Sequence, residues 1–340
     1  MLKIWRFLHL HNKKYTITGT IKVNENKKLI AVAGPTASGK TALAVQLALH
    51  YNGEVVSNDS MQIYKGMEIG TAAPTIEERL GVPHHLVGIC SPDTDFSCAD
   101  FSELGKNCAN EIISRGKLPV FCGGTGLYLD AVTSISNYSE GVKNEALREA
   151  LTREAEELGN EAVHAKLRAV DPEAADAIHP NNVRRVIRAI EIYETTGVPK
   201  TEWDRRSKDA VPPFDAKIVV LEFSNRELLY ERIDRRVDMM IEAGLEAEAK
   251  KLFAEGLISE KSPAYQAIGY KELLPYFAGE ETLAEGADRI RQNSRRYAKR
   301  QITWFKRYKN AIVIHPDDEN GMRDFRDIVD EAIFELNKVL

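Results

Sequence analysis

The stretch Gly34-Pro-Thr-Ala-Ser-Gly-Lys-Thr41 decides the fold of this chain. It matches the phosphate-loop pattern G-x-x-x-x-G-K-[ST]. An apolar run, Leu29–Ala33, precedes it, and a helix-like stretch, Ala42–His50, follows it. A buried strand, a glycine loop and a helix in this order distinguish a phosphate-binding loop from a chance match. We therefore predict that the segment binds an anion.

The residue types in this loop suit a phosphate group. Gly34 and Gly39 allow close approach of the backbone, whose N–H groups face phosphate oxygens together with the positive end of the helix dipole. Lys40 adds a positive charge, and Thr41 offers a hydroxyl ligand for Mg²⁺. The loop thus predicts a pyrophosphate-like ligand, but it does not identify the molecule.

The overall composition is that of a soluble globular protein. The chain has 340 residues, a net charge of −5, 43% hydrophobic and 29% charged residues. This length predicts a core domain with an insertion or second lobe. Cys90, Cys98, Cys108 and Cys122 lack zinc-site spacing, so reduced thiols in a cytoplasmic protein are expected. The sequence shows no apolar run near the ~20 residues that span a bilayer.

The N-terminal segment differs from the rest of the chain. Residues 1–28 carry seven Lys/Arg against one acid, Glu25. Neither the long apolar core nor the cleavage site of a secretory signal is visible. We interpret residues 1–27 as a poorly ordered or accessory extension ahead of the first strand.

Apolar runs alternate with helical segments along the chain. Alternation of this kind predicts a parallel α/β sheet flanked by helices, here of the P-loop NTPase type. Ligands of such sheets bind beyond the carboxyl ends of the strands, so the loops at those ends should converge. The predicted strands are 28–33, 54–57, 117–122, 217–223 and 311–315.

Residues 140–212 interrupt the alternation. The segment is charged and helical in composition and ends at the linker-like Val211-Pro-Pro213. We interpret it as a helical insertion domain. The predicted organisation is a catalytic core of residues 28–139 and 213–315, the insertion at 140–212 and a C-terminal helix at 316–340.

Asp59 is the principal candidate acid, because it directly follows the second predicted strand. It could act as a general base or as a Mg²⁺ partner, and a helix cap is the structural alternative. Its neighbours Ser60, Gln62 and Tyr64 could contact the edge of a nucleobase.

The turn Gly123-Gly-Thr-Gly126 follows another strand and is a weaker signal. It could be only a tight turn, or Thr125 could hydrogen-bond a substrate.

Arg232, Arg235 and Arg236 lie off the apolar stripe of a predicted helix at 226–241. They are either solvated or directed at charge on a leaving phosphate.

Two basic segments suggest a local nucleic-acid surface on an acidic protein. Residues 289–309 hold nine Lys/Arg and no acid, with aromatic residues between them. Arg291, Arg295 and Lys299 repeat at i, i+4, a repulsive row that phosphates would neutralise. The second cluster is at 184–188. The sequence shows no clear Walker B acid, which disfavours a motor-type ATPase.

Taken together, these segments resemble the tRNA dimethylallyltransferase family, also called tRNA isopentenyltransferases. The match covers about residues 28–310. Asp59-Ser60 together with the 299–304 motif makes it specific, because the phosphate loop alone occurs in many families. The matching segments, in order, are Gly34–Thr41, Ser57–Tyr64, Ile69–Ala72, Gly123–Tyr128, Asn182–Glu191, Ala267–Tyr270 and Lys299–Trp304.

The resemblance implies transfer of a dimethylallyl group from dimethylallyl diphosphate to N6 of the adenosine 3′ of the anticodon, with Mg²⁺ as cofactor and Thr41 as its ligand. It implies three sets of site residues. The catalytic candidates are Asp59 as the general base, Thr36 and Arg236. The diphosphate-binding candidates are Gly34, Pro35, Thr36, Ala37, Ser38, Gly39, Lys40, Thr41 and Arg236. The tRNA-binding candidates are Asp59, Ser60, Met61, Gln62, Thr125, Arg184, Arg185, Val186, Ile187, Arg188, Gln266, Gly269, Tyr270, Lys271, Lys299, Arg300, Gln301, Trp304 and Lys306.

The sequence departs from the family pattern in one position of the site. Ala73 stands where the family usually has Lys, so a phosphate contact from that side chain is lost. The residues 1–27 have no family counterpart, and a C-terminal zinc finger of the eukaryotic kind is not seen, which favours the bacterial type. We expect a monomer whose partners are the tRNA anticodon stem-loop and the prenyl donor.

Two other functions share part of the pattern. An adenylate isopentenyltransferase of the cytokinin-forming type would need the loop and Asp59, but neither the 140–212 insertion nor the basic 289–309 segment. A P-loop metabolite kinase would use ATP at the same loop. A pure RNA-binding module would leave the loop beside Asp59 unexplained.

Overall fold

A computed structural model describes residues 27–133, 144–208 and 212–340. Most of the predicted 1–27 extension, and Val211 of the predicted linker, lie outside these described residues. The sheet is parallel throughout, in the order β3-β2-β4-β1-β5-β6. Its strands are β1 (Lys28–Ala33), β2 (Gly53–Ser57), β3 (His84–His85), β4 (Leu118–Gly123), β5 (Asp215–Leu221) and β6 (Ile312–Ile314).

Helices cover both faces of this sheet, as in other open parallel sheets. Those of the first half are α1 (Lys40–His50), α2 (Cys98–Ser114) and α3 (Gly126–Thr133). Five more follow between β4 and β5: α4 (Glu145–Leu158), α5 (Asn160–Val170), α6 (Pro172–Ala177), α7 (Val183–Thr196) and α8 (Lys200–Lys208). The rest are α9 (Arg226–Glu242), α10 (Leu245–Ala254), α11 (Leu274–Phe277), α12 (Leu283–Phe305) and α13 (Phe325–Leu336).

Strand β1 is buried on both faces, because residues 29–33 are apolar at every position. In β1, Ile30 and Val32 pack with α1 and α13 on one face. Leu29 and Ala31 pack with α2 and α3 on the other face. This is why the run reads as continuously apolar instead of alternating.

Helices α4–α7 share a separate apolar cluster. Leu151, Val163, Leu167, Val186 and Ile190 are buried within it. The segment predicted as an insertion therefore has its own core and contributes no strand among its described residues.

The C-terminal segment is helical only from Phe325. Before it, a short antiparallel hairpin pairs β7 (Asp317–Asp318) with β8 (Gly321–Met322). Glu319 and Asn320 form its two-residue turn, and Gly321, which begins β8, has φ +115°. The prediction of a helix over all of 316–340 was therefore wrong for the first nine residues.

In the part of the chain that the structure describes, no helix is both long and apolar enough to span a membrane.

Candidate active site

The phosphate loop connects β1 to α1, where the sequence predicted it. Gly39, with φ +89°, precedes α1, and the N-terminus of this helix has no side-chain cap. Its first turn also has no acidic residue, so its N–H groups remain available to an anion.

A cavity of about 210 Å³ opens beside this loop. It extends from the loop along the end of β2 to the exposed side of α12. Its walls combine residues predicted to bind the diphosphate with residues predicted to bind tRNA. Thr36, Lys40, Thr41, Ser57, Asp59, Ser60, Met61, Gln62, Arg236, Gln266, Tyr297, Arg300 and Gln301 are among its lining residues.

Lys40 lies at the bottom of the cavity. Its Nζ donates to the carbonyl oxygen of Pro35 at 3.1 Å. Burial and the neighbouring charge of Arg236 lower the pKa of Lys40 to about 8, although Asp59 acts in the opposite direction. A diphosphate would restore the ordinary preference for the charged amine, because opposite charges favour ionisation.

Helix α9 brings two arginines onto the phosphate loop. Arg236 Nη1 donates to Thr36 Oγ1 at 3.2 Å, and Arg232 Nε donates to the carbonyl oxygen of Ala37 at 3.0 Å. Burial lowers the pKa of both guanidinium groups below the ordinary value. Arg235 points to solvent on the same helix. Arg235 is exposed because it lies on the side of α9 opposite the apolar stripe. The stripe consists of the buried residues Leu229, Ile233 and Val237.

Asp59 lies two residues after the end of β2 and lines the same cavity as Lys40. Its Oδ1 accepts a hydrogen bond from the N–H of Met61 at 2.9 Å. No helix begins at Asp59, so the interpretation as a helix cap was wrong, and this bond belongs to a local turn. It uses one carboxylate oxygen, and the roles of general base and Mg²⁺ partner stay predictions.

The glycine turn after β4 meets this acid. Thr125 Oγ1 accepts from the N–H of Ser60 at 3.0 Å, and Thr125 Oγ1 and Ser60 Oγ lie 3.2 Å apart. The predicted convergence of strand ends is therefore observed. Thr125 therefore ties the glycine turn to the residue that follows Asp59.

Gln62 does not present its amide to a nucleobase as we expected. Its Nε2 donates to the carbonyl oxygens of Thr71 and Ala72, and its Oε1 accepts from Ser57 Oγ at 2.8 Å. The amide is already bonded within the protein. Gln62 therefore shapes the cavity by holding the 71–72 turn.

The sequence predicted a row of cations without acidic partners on α12. The structure shows acidic partners for part of this row. Arg295 contacts Asp234 at 2.5 Å, and Arg291 pairs with Asp238 of α9. The prediction that phosphates neutralise this row is wrong for these two arginines, because α9 supplies the acids. Lys299 and Arg300 are exposed, and among the described residues no ion pair involves them.

The 184–188 cluster is also divided. Arg184 and Arg185 are exposed at the start of α7. Val186 and Ile187 are core residues, so their assignment to a tRNA-contacting surface was wrong. Arg188 contacts the buried carboxylate of Glu191 at 2.5 Å.

The 266–271 segment contributes its ends to the surface. Gln266 is exposed and lines the cavity, and Lys271 Nζ lies 3.4 Å from the oxygen of its amide. Tyr270 is fully buried, and its hydroxyl donates to Glu248 Oε1 at 2.8 Å. Gly269 is also buried. The predicted tRNA contact is wrong for the Tyr270 side chain, which is part of the core.

Near the end of α12, the residues predicted to contact tRNA differ in their exposure: one is exposed, and two pack against the core. Lys306 is exposed and lies 3.4 Å from Glu222. Trp304 packs on the glycine turn after β4, where a Cβ on Gly126 would lie 2.1 Å from its Cδ1. Gln301 is 4% exposed and bonds to two loops of the site. Trp304 and Gln301 therefore dock the helix on the core.

Two further cavity residues were not assigned to the site from sequence. Tyr297 lines the cavity, and burial together with Asp59 raises its pKa to about 12. Cys122 is the last but one residue of β4 and lines the cavity with the loop, and burial raises the pKa of its thiol to about 11. The sequence could have indicated Tyr297, because it shares a helix face with Arg300. It could have indicated Cys122 by its place at the end of a predicted strand.

The donor set of the cavity suits a magnesium ion that arrives with its phosphate ligand. Among the described residues, no three His, Cys, Asp or Glu side chains form a metal-binding group. Thr41 and Asp59 offer one hydroxyl and one carboxylate in the same cavity. Mg²⁺ is commonly held by one or two carboxylates plus substrate phosphates, so these residues fit.

The fold and cavity define a P-loop protein whose anion site opens toward the exposed Arg300 of α12, as expected of a transferase that acts on a nucleic acid. A model of the family described as IPP transferase matches residues 62–308, and one described as isopentenyl transferase matches residues 27–84. The chain belongs to the IPP transferase family.

Named relatives agree with this assignment. The chain is 50% identical over 278 residues to a tRNA dimethylallyltransferase of Bacillus pumilus, covering 82% of this chain and 86% of the relative. It is 48% identical to one of Bacillus subtilis, over 83% of this chain and 89% of the relative.

Solved structures give the same result. A full-length tRNA isopentenylpyrophosphate transferase from Bacillus halodurans matches with 45% identity and a TM-score of 0.68, covering 92% of this chain and 96% of that chain. A eukaryotic dimethylallyltransferase acting on tRNA matches with 32% identity and a TM-score of 0.75, over 85% and 74% of the two chains.

Proposed function

We propose that this protein transfers the dimethylallyl group of dimethylallyl diphosphate to N6 of the adenosine on the 3′ side of a tRNA anticodon, releasing diphosphate. The cavity that joins the phosphate loop to Asp59 and then to the exposed Gln266 and Arg300 carries this proposal. One end holds an anion, the other end faces a basic surface, and a carboxylate lies between them.

At the donor end, the diphosphate occupies the phosphate loop. Lys40, Arg236 and the N–H groups at the start of α1 face the charge that develops as the carbon–oxygen bond breaks. Groups of this kind stabilise a leaving anion best when they are preorganised. The contact between Arg236 and Thr36 holds one of them in place before any ligand binds.

At the acceptor end, Asp59 is the general base. The N6 nitrogen attacks C1 of the dimethylallyl group, and the C1–oxygen bond breaks, with its electron pair leaving on diphosphate. The carboxylate oxygen not bonded to Met61 accepts the N6 proton. An exocyclic amine is a weak nucleophile, so its placement beside a proton acceptor lowers the barrier.

A bound Mg²⁺ would neutralise charge on the diphosphate, and Thr41 is the residue that would hold it, because this proposal uses Asp59 as the base. The contribution of the protein itself is the fixed array of Lys40, Arg232 and Arg236 around the loop.

The proposed tRNA surface consists of cations and one polar residue, Gln266, that are exposed or, for Lys271, partly exposed. The adenosine must leave its stack to reach Asp59, which costs about a few kcal/mol. Phosphate contacts offset this cost and make binding dependent on salt. The surface comprises Arg184, Arg185, Gln266, Lys271, Lys299, Arg300 and Lys306.

Transfer of radiolabel from dimethylallyl diphosphate tests the proposal directly. Unmodified tRNA carrying adenosine at position 37 should become labelled, and a tRNA with guanosine there should not. Label on free AMP but not on tRNA would contradict the proposal in favour of an adenylate isopentenyltransferase. Phosphoryl transfer from ATP without prenyl transfer would indicate a kinase. Light scattering of the active fraction should report a monomer.

A further inference from the structure

Gln301 of α12 is bonded at both ends of its amide. Its Oε1 accepts from the N–H of Thr36 at 2.8 Å, and its Nε2 donates to the carbonyl oxygen of Gly124 at 2.9 Å. The side chain is 4% exposed. It therefore joins the phosphate loop to the glycine turn after β4 and presents no amide atom to the tRNA surface.

The glycine turn is built around this contact. A Cβ added at Gly124 would lie 2.0 Å from Gln301 Nε2, which is closer than any side chain allows. Gly124 has an ordinary backbone conformation, since it is not among the residues with positive φ. The need for glycine here is therefore set by the approach of Gln301.

The contact with Thr36 fixes one peptide group of the phosphate loop. The carbonyl oxygen of Pro35 accepts from Lys40 Nζ at 3.1 Å, and the N–H of the same peptide donates to Gln301. Lys40 is drawn toward a diphosphate when one binds, because it carries the charge that the ligand attracts. Gln301 is then the remaining side chain that holds this peptide in orientation.

The helix that carries Gln301 also carries the exposed cations. Lys299 and Arg300 immediately precede Gln301 and face solvent, whereas the next residue along the chain points onto the loop. A shift of α12 on binding phosphates would therefore be transmitted to the Pro35–Thr36 peptide. The two binding regions meet at adjacent residues of one rigid helix.

We propose that Gln301 is a positioning residue of the donor site, which holds the Pro35–Thr36 peptide for diphosphate binding and couples that loop to tRNA bound on α12. This inference rests on the proposed function for the identity of the two ligands. It differs from a tRNA contact by Gln301, which the resemblance to the family had implied.

Gln301→Met tests the inference, because it keeps the length of the side chain and removes both hydrogen bonds. The dissociation constant for inorganic diphosphate should rise about tenfold, whereas that for an unmodified anticodon stem-loop should change less than about twofold. The wild-type protein should bind diphosphate more tightly with the stem-loop present, and the variant should lose that gain. Gln292→Met, on the exposed side of the same helix, is the matched control and should match the wild type.

Gly124→Ala gives an independent test from the opposite side of the contact, and it keeps the proposal testable if the first variant does not fold. It should produce the same donor-specific loss. Unchanged diphosphate affinity in a folded variant, or weakened tRNA binding alone, would overturn the inference. Both measurements are binding equilibria, so they remain informative even if the wild type fails to transfer a prenyl group, which would contradict only the proposed function.

Discussion

Raising the pH above 8 should weaken diphosphate binding, because Lys40 then loses its proton. Burial and Arg236 bring the pKa of Lys40 from 10.5 down to about 8. The charged amine is the form that binds the anion, so binding is strong below pH 8 and weakens as the pH rises through that value. At pH 9, only about a tenth of the unliganded protein has Lys40 charged, compared with about nine tenths at pH 7. The dissociation constant should therefore be about tenfold higher at pH 9 than at pH 7.

Calorimetric titration with isobutyl diphosphate measures this effect without turnover. The last phosphate proton of such an ester leaves with a pKa of about 6, so the ligand keeps a constant charge over the range. Lys40→Arg is the matched control, because its guanidinium stays charged and should give a flat profile. A wild-type dissociation constant that is constant from pH 7 to 9, or an equal rise in Lys40→Arg, would refute the role given to Lys40.

Four further substitutions test separate parts of the account. Asp59→Asn should lower kcat about 100-fold in single-turnover transfer while tRNA affinity stays within about twofold; full turnover would remove the general base. Arg300→Glu should reduce the slope of log affinity against log salt by about one, and an unchanged slope excludes a phosphate contact. Gly126→Ala should cost about 1–3 kcal/mol in urea unfolding, since its Cβ meets Trp304, and wild-type stability would contradict that packing. Glu54 has its pKa lowered to about 2 by hydrogen bonds and charges that outweigh burial. The stabilisation that its charged form gives is present above pH 4.5 and is lost as the pH falls toward 2. Glu54→Gln should therefore lower the free energy of unfolding by about 3 kcal/mol at pH 7 and by less at pH 3.

Local sequence patterns predicted the central part of the fold and the positions of the phosphate loop and Asp59 within it. The phosphate loop, the runs that became β1, β2 and β4, and the position of Asp59 depend on neighbours along the chain. Their geometry follows from strand ends meeting at one edge of a sheet. The two-residue strand β3 was missed because His84-His85 carries no apolar run.

The errors in the predicted tRNA surface have a different origin. Whether Arg291 and Arg295 face phosphate or protein depends on acids of α9, more than fifty residues away in sequence. Val186 and Ile187 lie within a segment that matches the family but point into a core formed by α4–α7. Sequence motifs identify the segments, whereas the packing of helices decides which side chains of each segment are accessible.

Cys122 has a consequence for the lifetime of the bound donor. This residue is the last but one of β4, the strand beside β1, and its thiol remains protonated at neutral pH because burial raises its pKa to about 11. In hydrolytic P-loop enzymes, an acid in the Walker B position helps to organise the metal and the attacking water. The neutral thiol of Cys122 accepts no proton from water at neutral pH, so Asp59 is the carboxylate among the lining residues that a competing water would have to use. Under the proposed function, an acceptor amine bound at Asp59 therefore also keeps water away from the donor.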